Sequence, residues 1–259
     1  MFREVLLMGV LTALLLAMGY AVGAYFGNPE LYLQAALVFA ALMNFIVYFF
    51  SDRIVLAMTG ARLVSPSEEP RLHRIVEDLA RKARIPKPKV AIVPMPIPNA
   101  FATGRSPSNG VVAVTKGLLK ELNDDEVEAV LGHELSHIKH RDTLIATMAA
   151  TIAGAISYLA YMGRWGLWFG GFRYGERREG VSPIILLLAL ILVPIAAVIT
   201  QLAISRAREY KADEGSANIT RKPITLANAL IKIERAVRRR RRVDVNPATS
   251  SLWIVNPVR

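Results

Sequence analysis

The chain has no cysteine. Disulfides are excluded, and so is any metal site built from thiolates. Histidine is scarce: the four are His73, His133, His137 and His140. A metal centre here must combine histidine with carboxylate. Charge is missing from Val5–Ala24, Leu31–Phe50, Thr143–Met162 and Val181–Ile204. Each run is about 20 residues or longer, enough to cross a ~30 Å hydrocarbon layer at ~1.5 Å per residue. A signal peptide does not explain the first run, which exceeds a usual apolar core and is soon followed by a second. The runs account for a chain of 259 residues that is 53% hydrophobic, with mean hydropathy +0.34.

What is present in excess is positive charge. The net charge is +11 and the sequence pI about 10.1. An unbroken arginine run covers Arg238–Arg242. In a chain with membrane segments, anionic lipid headgroups are the nearest partner for such a surface, at about 1 kcal/mol per basic residue. Nucleic acid is not expected. The loop Tyr25–Glu30 holds no Lys or Arg, so it should face outward. Arg53, Arg62, Lys139, Arg141, Arg206, Arg208 and Lys211 flank the opposite helix ends. They place both termini and the 51–142 region in the cytoplasm. The loop 163–180 carries Arg164, Arg173, Arg177 and Arg178 against this trend, but an even number of crossings puts it outside. Its Trp165, Trp168, Phe169, Phe172 and Tyr174 suit a membrane–water interface.

Four parts follow from this pattern: a transmembrane hairpin over 1–50, a first soluble part over 51–142, a second hairpin over 143–204, and a second soluble part over 205–259. In the first soluble part, Leu72, Ile75, Val76 and Leu79 predict an amphipathic helix within Ser67–Arg84. His73 lies beside that stripe among charges and reads as a surface histidine. Lys89–Val93 and Gly110–Thr115 read as strands of a small sheet. Gly110–Thr115 is expected to leave an open edge, onto which an extended peptide can add. Asn123 with Glu126 predicts a capping box opening the next helix. Helices are also expected over Arg206–Ile219 and Ile224–Arg239.

That capped helix carries His133-Glu134-Leu135-Ser136-His137, the pattern H-E-x-x-H. Histidines four apart share a helix face and can hold one zinc ion, with the glutamate directed at water on its open side. Glu209 is the candidate third ligand. It follows the fourth apolar run by a few residues, as His137 precedes the third, so an antiparallel hairpin brings the two helices to one membrane face. Three protein ligands and a water make the open arrangement of a catalytic site. His140 points too far round the helix to be a fourth. Asp213, one turn after Glu209, can accept a hydrogen bond from the free ring N–H of a ligating histidine. In this reading Glu134 is the general base for water attacking a peptide carbonyl.

The stretches Asn99–Gly104, Val112–Thr115, Asp125–Asp142 and Ser205–Asp213 together resemble the M48 peptidases, and among them the HtpX-type membrane heat-shock peptidases. The resemblance implies an α-helical integral membrane protein with four transmembrane helices and a mainly helical, α+β, zincin-like domain carrying a small sheet. It implies a cytoplasm-facing zinc endopeptidase, one Zn²⁺ per chain, acting on unfolded or misassembled membrane proteins. His133, His137 and Glu209 correspond to the zinc ligands and Glu134 to the base, while Asn99 and Ala100 are expected to line the substrate strand. The family pattern continues past the stretch corresponding to Ile254–Pro257 with a Thr-His-Pro-Pro segment, whose histidine looks like an extra donor to the oxyanion. Here no histidine follows His140. Either the sequence stops short of that segment, or Tyr210 or an arginine takes the role. A non-catalytic membrane adaptor on the same metal fold is the competing class; a retained Glu134 speaks for the enzyme. A zinc transporter lacks support, because the apolar runs hold almost no polar ligands.

Overall fold

The computed structural model describes residues 2–153, 206–239, 249 and 252–255. The first two apolar runs form an antiparallel helical hairpin, α1 (Phe2–Phe26) and α2 (Pro29–Thr59). Asn28 caps α2 by accepting from the Leu31 amide, and Pro29 occupies the first helical position, where its missing N–H costs nothing. Inside the hairpin, Asn44 Nδ2 donates to Thr12 Oγ1 at 2.8 Å. Helix α2 is, among the described residues, the one long and apolar enough to cross a membrane by length and composition; α1 contributes the apolar stretch Met8–Ala24.

Helix α2 does not end where its apolar run ends. It continues through Asp52 and Arg53 to Thr59, and Val55 is fully buried in the main hydrophobic core of the following domain. The left-handed Gly60 (φ 65°) terminates it, and β1 (Arg62–Leu63) begins two residues later. After β1 come α3 (Pro70–Ala83), β2 (Lys89–Val93), β3 (Ala100–Thr103), β4 (Val111–Thr115) and a short α4 (Lys116–Glu121).

The strands lie in the order β1-β2-β4-β3, with β2 and β4 parallel and both edge strands antiparallel to their neighbours. The sheet differs here from the sequence expectation. Gly110–Thr115 contains β4, an interior strand, and the edge belongs to β3. Every residue of β4 is buried, as suits a strand covered on both faces. The valine and alanine of the strand report that burial but not the lateral order, which the register of β3 on β4 decides. His73 also differs: it is buried, and its Nε2 lies 2.9 Å from the Val64 carbonyl oxygen. Charged neighbours on α3 disguised a position next to the apolar stripe that faces inward.

Helix α5 (Asp124–His140) crosses the sheet and forms the centre of the domain. Its capping box is complete: Asn123 Oδ1 accepts from the Glu126 amide at 2.9 Å, and Glu126 Oε2 accepts from the Asn123 amide at 3.0 Å. Acidic Asp124, Asp125 and Glu126 fill its first turn, the favourable sign at the positive helix end. Arg141, left-handed at φ 61°, stops α5 and turns the chain into the apolar α6 (Asp142–Ala153). Helix α6 packs on the hairpin through Leu144, Met148, Ala149 and Ile152 against Val47, Met8, Leu11 and Tyr48. The rest of the third apolar run, the fourth run, the loop 163–180 and most of the arginine run lie outside the described residues.

The chain re-enters as α7 (Arg206–Thr220) and α8 (Pro223–Arg239). Helix α7 lies against α5 at unusually close range. A Cβ on Gly215 would stand 2.0 Å from Ser136 Oγ, and one on Gly132 would stand 2.7 Å from Thr220 Cγ2. Ser216 Oγ donates to the Ala129 carbonyl at 2.8 Å across the same contact. At the other end, Lys222 Nζ bridges Asp125 and Glu128 of α5 at 2.7 and 2.6 Å. These contacts fix the height of α7 along α5.

Candidate metal centre

With α7 held in that register, Glu209 comes level with the two histidines of α5. His133, His137 and Glu209 each offer one ligand atom, and the three atoms lie within 4.8 Å of one another. His133 Nε2 and His137 Nε2 are 3.2 Å apart, while Glu209 Oε2 is 3.6 Å from the first and 3.7 Å from the second. Donors about 2.0–2.1 Å from a tetrahedral zinc stand roughly 3.3 Å apart. The three atoms therefore sit at the separations that one face of such a tetrahedron requires. The donor set, two imidazoles and a carboxylate without thiolate, suits a catalytic rather than a structural site.

Each histidine is oriented by a carboxylate on its far nitrogen. His133 Nδ1 donates to Asp213 Oδ1 at 2.9 Å, and His137 Nδ1 faces Asp142 Oδ2 at 3.6 Å. Both contacts engage Nδ1 and aim Nε2 at the site, so that a neutral ring presents Nε2 as its free nitrogen. Sequence reading had placed Asp213 in this role and had missed Asp142. The signal for Asp142 is its position just after the helix break, since the left-handed Arg141 swings the next side chain back toward His137.

Burial alone would make these histidines harder to protonate. It is outweighed at His133 by the Asp213 and Glu209 hydrogen bonds and by the Glu134 charge, which raise its pKa to about 9. At His137, burial is likewise outweighed, first by Asp142 and then by Glu209, and the pKa rises to about 10. Burial pushes Glu209 upward too, but the two histidines hold it well below the usual carboxylate range. In the metal-free centre the two imidazoles are thus held protonated beside an ionised Glu209, and a cation binds there by displacing their protons.

Glu134 is buried at 3% exposure, and burial raises its pKa above the ordinary carboxylate value. The backbone N–H of Ala102 on β3 hydrogen-bonds it. A carboxylate raised in this way is a better proton acceptor near neutral pH than an exposed one. Its partner on β3 places the base beside the edge of the sheet.

The remaining candidates fall as follows. His140 turns away: its Nδ1 lies 2.9 Å from the Ser136 carbonyl oxygen. Tyr210 is 71% exposed. Asn99 is fully buried, and its amide is engaged by Val255, with Nδ2 donating to the Val255 carbonyl at 2.6 Å. The outward carbonyl of Ala100 accepts from the Ile254 amide at 3.1 Å.

The sequence has relatives. The model of "Peptidase family M48" matches residues 66–251. The chain belongs to peptidase family M48. A "Protease HtpX homolog" from Pyrococcus furiosus is 57% identical over 257 residues, covering 99% of this chain and 86% of that protein. Proteins with the same description from Thermococcus kodakarensis and Aquifex aeolicus are 53% and 52% identical, covering 99% and 95% of this chain and 87% and 80% of their own lengths. Among solved structures, "Crystal Structure of S. mikatae Ste24p" is similar with a TM-score of 0.49 at 19% identity, covering 93% of this chain and 59% of that one. The match over 66–251 takes in every residue of the metal centre, so His133, Glu134, His137 and Glu209 stand within the M48 region of the chain.

Proposed function

We propose that this protein is a membrane-bound zinc endopeptidase that hydrolyses peptide bonds in unfolded or misassembled membrane proteins. The observation that carries the reading is the His133–His137–Glu209 triangle with buried Glu134 beside it. His133, His137 and Glu209 would hold the metal. When bound, zinc supplies Lewis acidity that polarises the peptide carbonyl and acidifies water. Glu134 accepts the proton of the attacking water and delivers it to the departing amine. Asp213 and Asp142 keep both imidazoles in the ligating tautomer throughout. The outer side of β3 next to Glu134, where Ala102 turns its backbone away from β4, supports an extended peptide docked by strand addition.

The membrane part of the reading rests on α2, which joins an apolar span to the domain core through Val55. Such a domain stands at the bilayer surface, where unfolded segments of membrane proteins are the nearest substrates. Arg53, Arg62, Lys139 and Arg141, at the domain ends of the apolar runs, support the cytoplasm as the side on which that surface lies.

The test is zinc content and casein cleavage of detergent-purified protein, compared with Glu134→Gln and Glu209→Ala. One zinc per chain, cleavage lost in both variants, and zinc weakened only in Glu209→Ala are the expected results. Zinc bound without any cleavage, with Glu134→Gln indistinguishable from wild type, would replace the enzyme with a binding protein.

A further inference from the structure

The edge strand beside Glu134 is already partly occupied by the chain itself. The backbone of β3 alternates. Thr115 N–H donates to the Asn99 carbonyl at 3.0 Å, so Asn99, Phe101 and Thr103 turn their backbone groups toward β4. Ala100 and Ala102 turn theirs outward, to the edge where a peptide would pair. Of these two, Ala102 meets Glu134. Ala100 meets Ile254, whose N–H donates to its carbonyl at 3.1 Å, while its own N–H donates to Asn99 Oδ1 at 3.1 Å.

Four observations make the Leu252–Val255 segment a fixed wall. Asn99 grips both backbone groups of Val255: Nδ2 donates to its carbonyl at 2.6 Å and Oδ1 accepts its N–H at 3.3 Å. The ring of Trp253 stands edge-on to Phe101 with centroids 4.9 Å apart. Trp253 Nε1 donates to Thr249 Oγ1 at 3.4 Å. Leu252 and Trp253 belong to the main core, whereas Ile254 and Val255 are only partly buried. Apolar surface of those two residues therefore remains at the edge. Outward positions of a strand recur about every 7 Å, so this surface begins roughly one dipeptide from the general base.

We propose that Ile254 and Val255, clamped by Asn99, form the wall of a side-chain subsite next to the scissile bond. The wall selects an apolar substrate residue at one position and ends the paired stretch of the peptide at Ala102. This inference rests on the peptidase reading. It moves the roles expected of Asn99 and Ala100 from direct contact with the peptide to holding the residues that make that contact.

The experiment uses the full chain in detergent and a mixed peptide library, with cleavage of each sequence followed by mass spectrometry. Variants are Ile254→Ala, Ile254→Asp and the conservative Ile254→Val. Binding of apolar and basic library members to Glu134→Gln, with and without Ile254→Asp, is read in parallel by fluorescence anisotropy. The expected result is a preference for apolar residues at one position beside the bond, reduced about 10-fold or more in Ile254→Ala. Ile254→Asp should convert it to a preference for basic residues, and Ile254→Val should retain it, with zinc content near one per chain in all. Preferences that fall in parallel at every position, or do not move at all, overturn the proposal. Absence of wild-type cleavage would sink the peptidase reading separately, while the anisotropy comparison still decides for or against the wall.

Discussion

Asp213 Oδ1 lies 2.9 Å from His133 Nδ1, and that contact leaves Nε2 as the nitrogen of His133 that faces His137 and Glu209. Asp142 stands in the same relation to His137 at the longer distance of 3.6 Å. Removal of such a partner commonly lowers metal affinity about 10–100-fold. Asp213→Ala is expected at the upper end of that range and Asp142→Ala at the lower end. Competition against a fluorescent zinc chelator measures both, and an Asp213→Ala affinity equal to wild type would show that the tautomer is fixed by something else.

Zinc should displace protons from both histidines. Their folded pKa values in the metal-free chain, about 9 for His133 and about 10 for His137, are raised above the ordinary value. By linkage, the stability they give the metal-free fold is fully present below the unfolded pKa of about 6.5 and is lost as pH rises through about 9–10. The metal, in contrast, needs the neutral rings. Apparent zinc affinity is therefore expected to rise by close to two powers of ten per pH unit between about pH 7 and pH 8. A slope near one would mean that one ring is already neutral before the metal arrives.

Gly215→Ala tests the register of α7. The added methyl would overlap Ser136 Oγ at 2.0 Å and Ser136 Cβ at 2.7 Å. Overpacking of this kind costs about 1–3 kcal/mol, and the shift it forces moves Glu209 and Asp213 away from α5. Lower thermal stability and weaker zinc binding should appear together, and Ser136→Gly in the same chain should restore part of both. A Gly215→Ala protein with wild-type zinc affinity would show that α7 tolerates displacement.

Acid should release the ion pairs of Glu128. Its side chain accepts from Lys82 at 2.8 Å and Lys222 at 2.6 Å. Partial burial pushes this carboxyl upward, but the two lysines outweigh burial and hold its pKa below the usual value. A depressed carboxylate pKa gives stability that is fully present above the unfolded value of about 4.5 and lost as pH falls through the lower folded value. Thermal unfolding followed from about pH 7 to about pH 2 should show a steeper decline below about pH 4.5 for wild type than for Glu128→Gln. Parallel curves would assign the acid sensitivity to other groups.

What the sequence made legible was local. The capping box of Asn123 and Glu126 and the two histidines of α5 depend on spacings of three and four residues, and helix geometry converts such spacings directly into positions. Glu209 was reachable only through the argument that antiparallel apolar segments return a chain to one membrane face. Its present placement depends on Gly132 and Gly215, whose missing side chains carry no periodic signal. The sheet edge was assigned to Gly110–Thr115 because composition reports burial, not lateral order. Asp142 was overlooked because its role depends on the left-handed turn at Arg141, a conformation that arginine does not advertise. Asn99 was recognised as special, but its partner, Val255, lies 156 residues away along the chain.

Helix α2 enters the domain without a joint: Val47 packs on α6 among the apolar helices, and Val55, two turns on, is fully buried in the core beneath the sheet. For the proposed peptidase, the height of Glu134 above the lipid is then a built dimension, comparable to the gap under a fixed blade. On that proposal, a loop held tight by its own folded bundle would not span the gap, whereas a slack one would. Discrimination between sound and failed membrane proteins then needs no recognition of damage as such, only a measurement of slack.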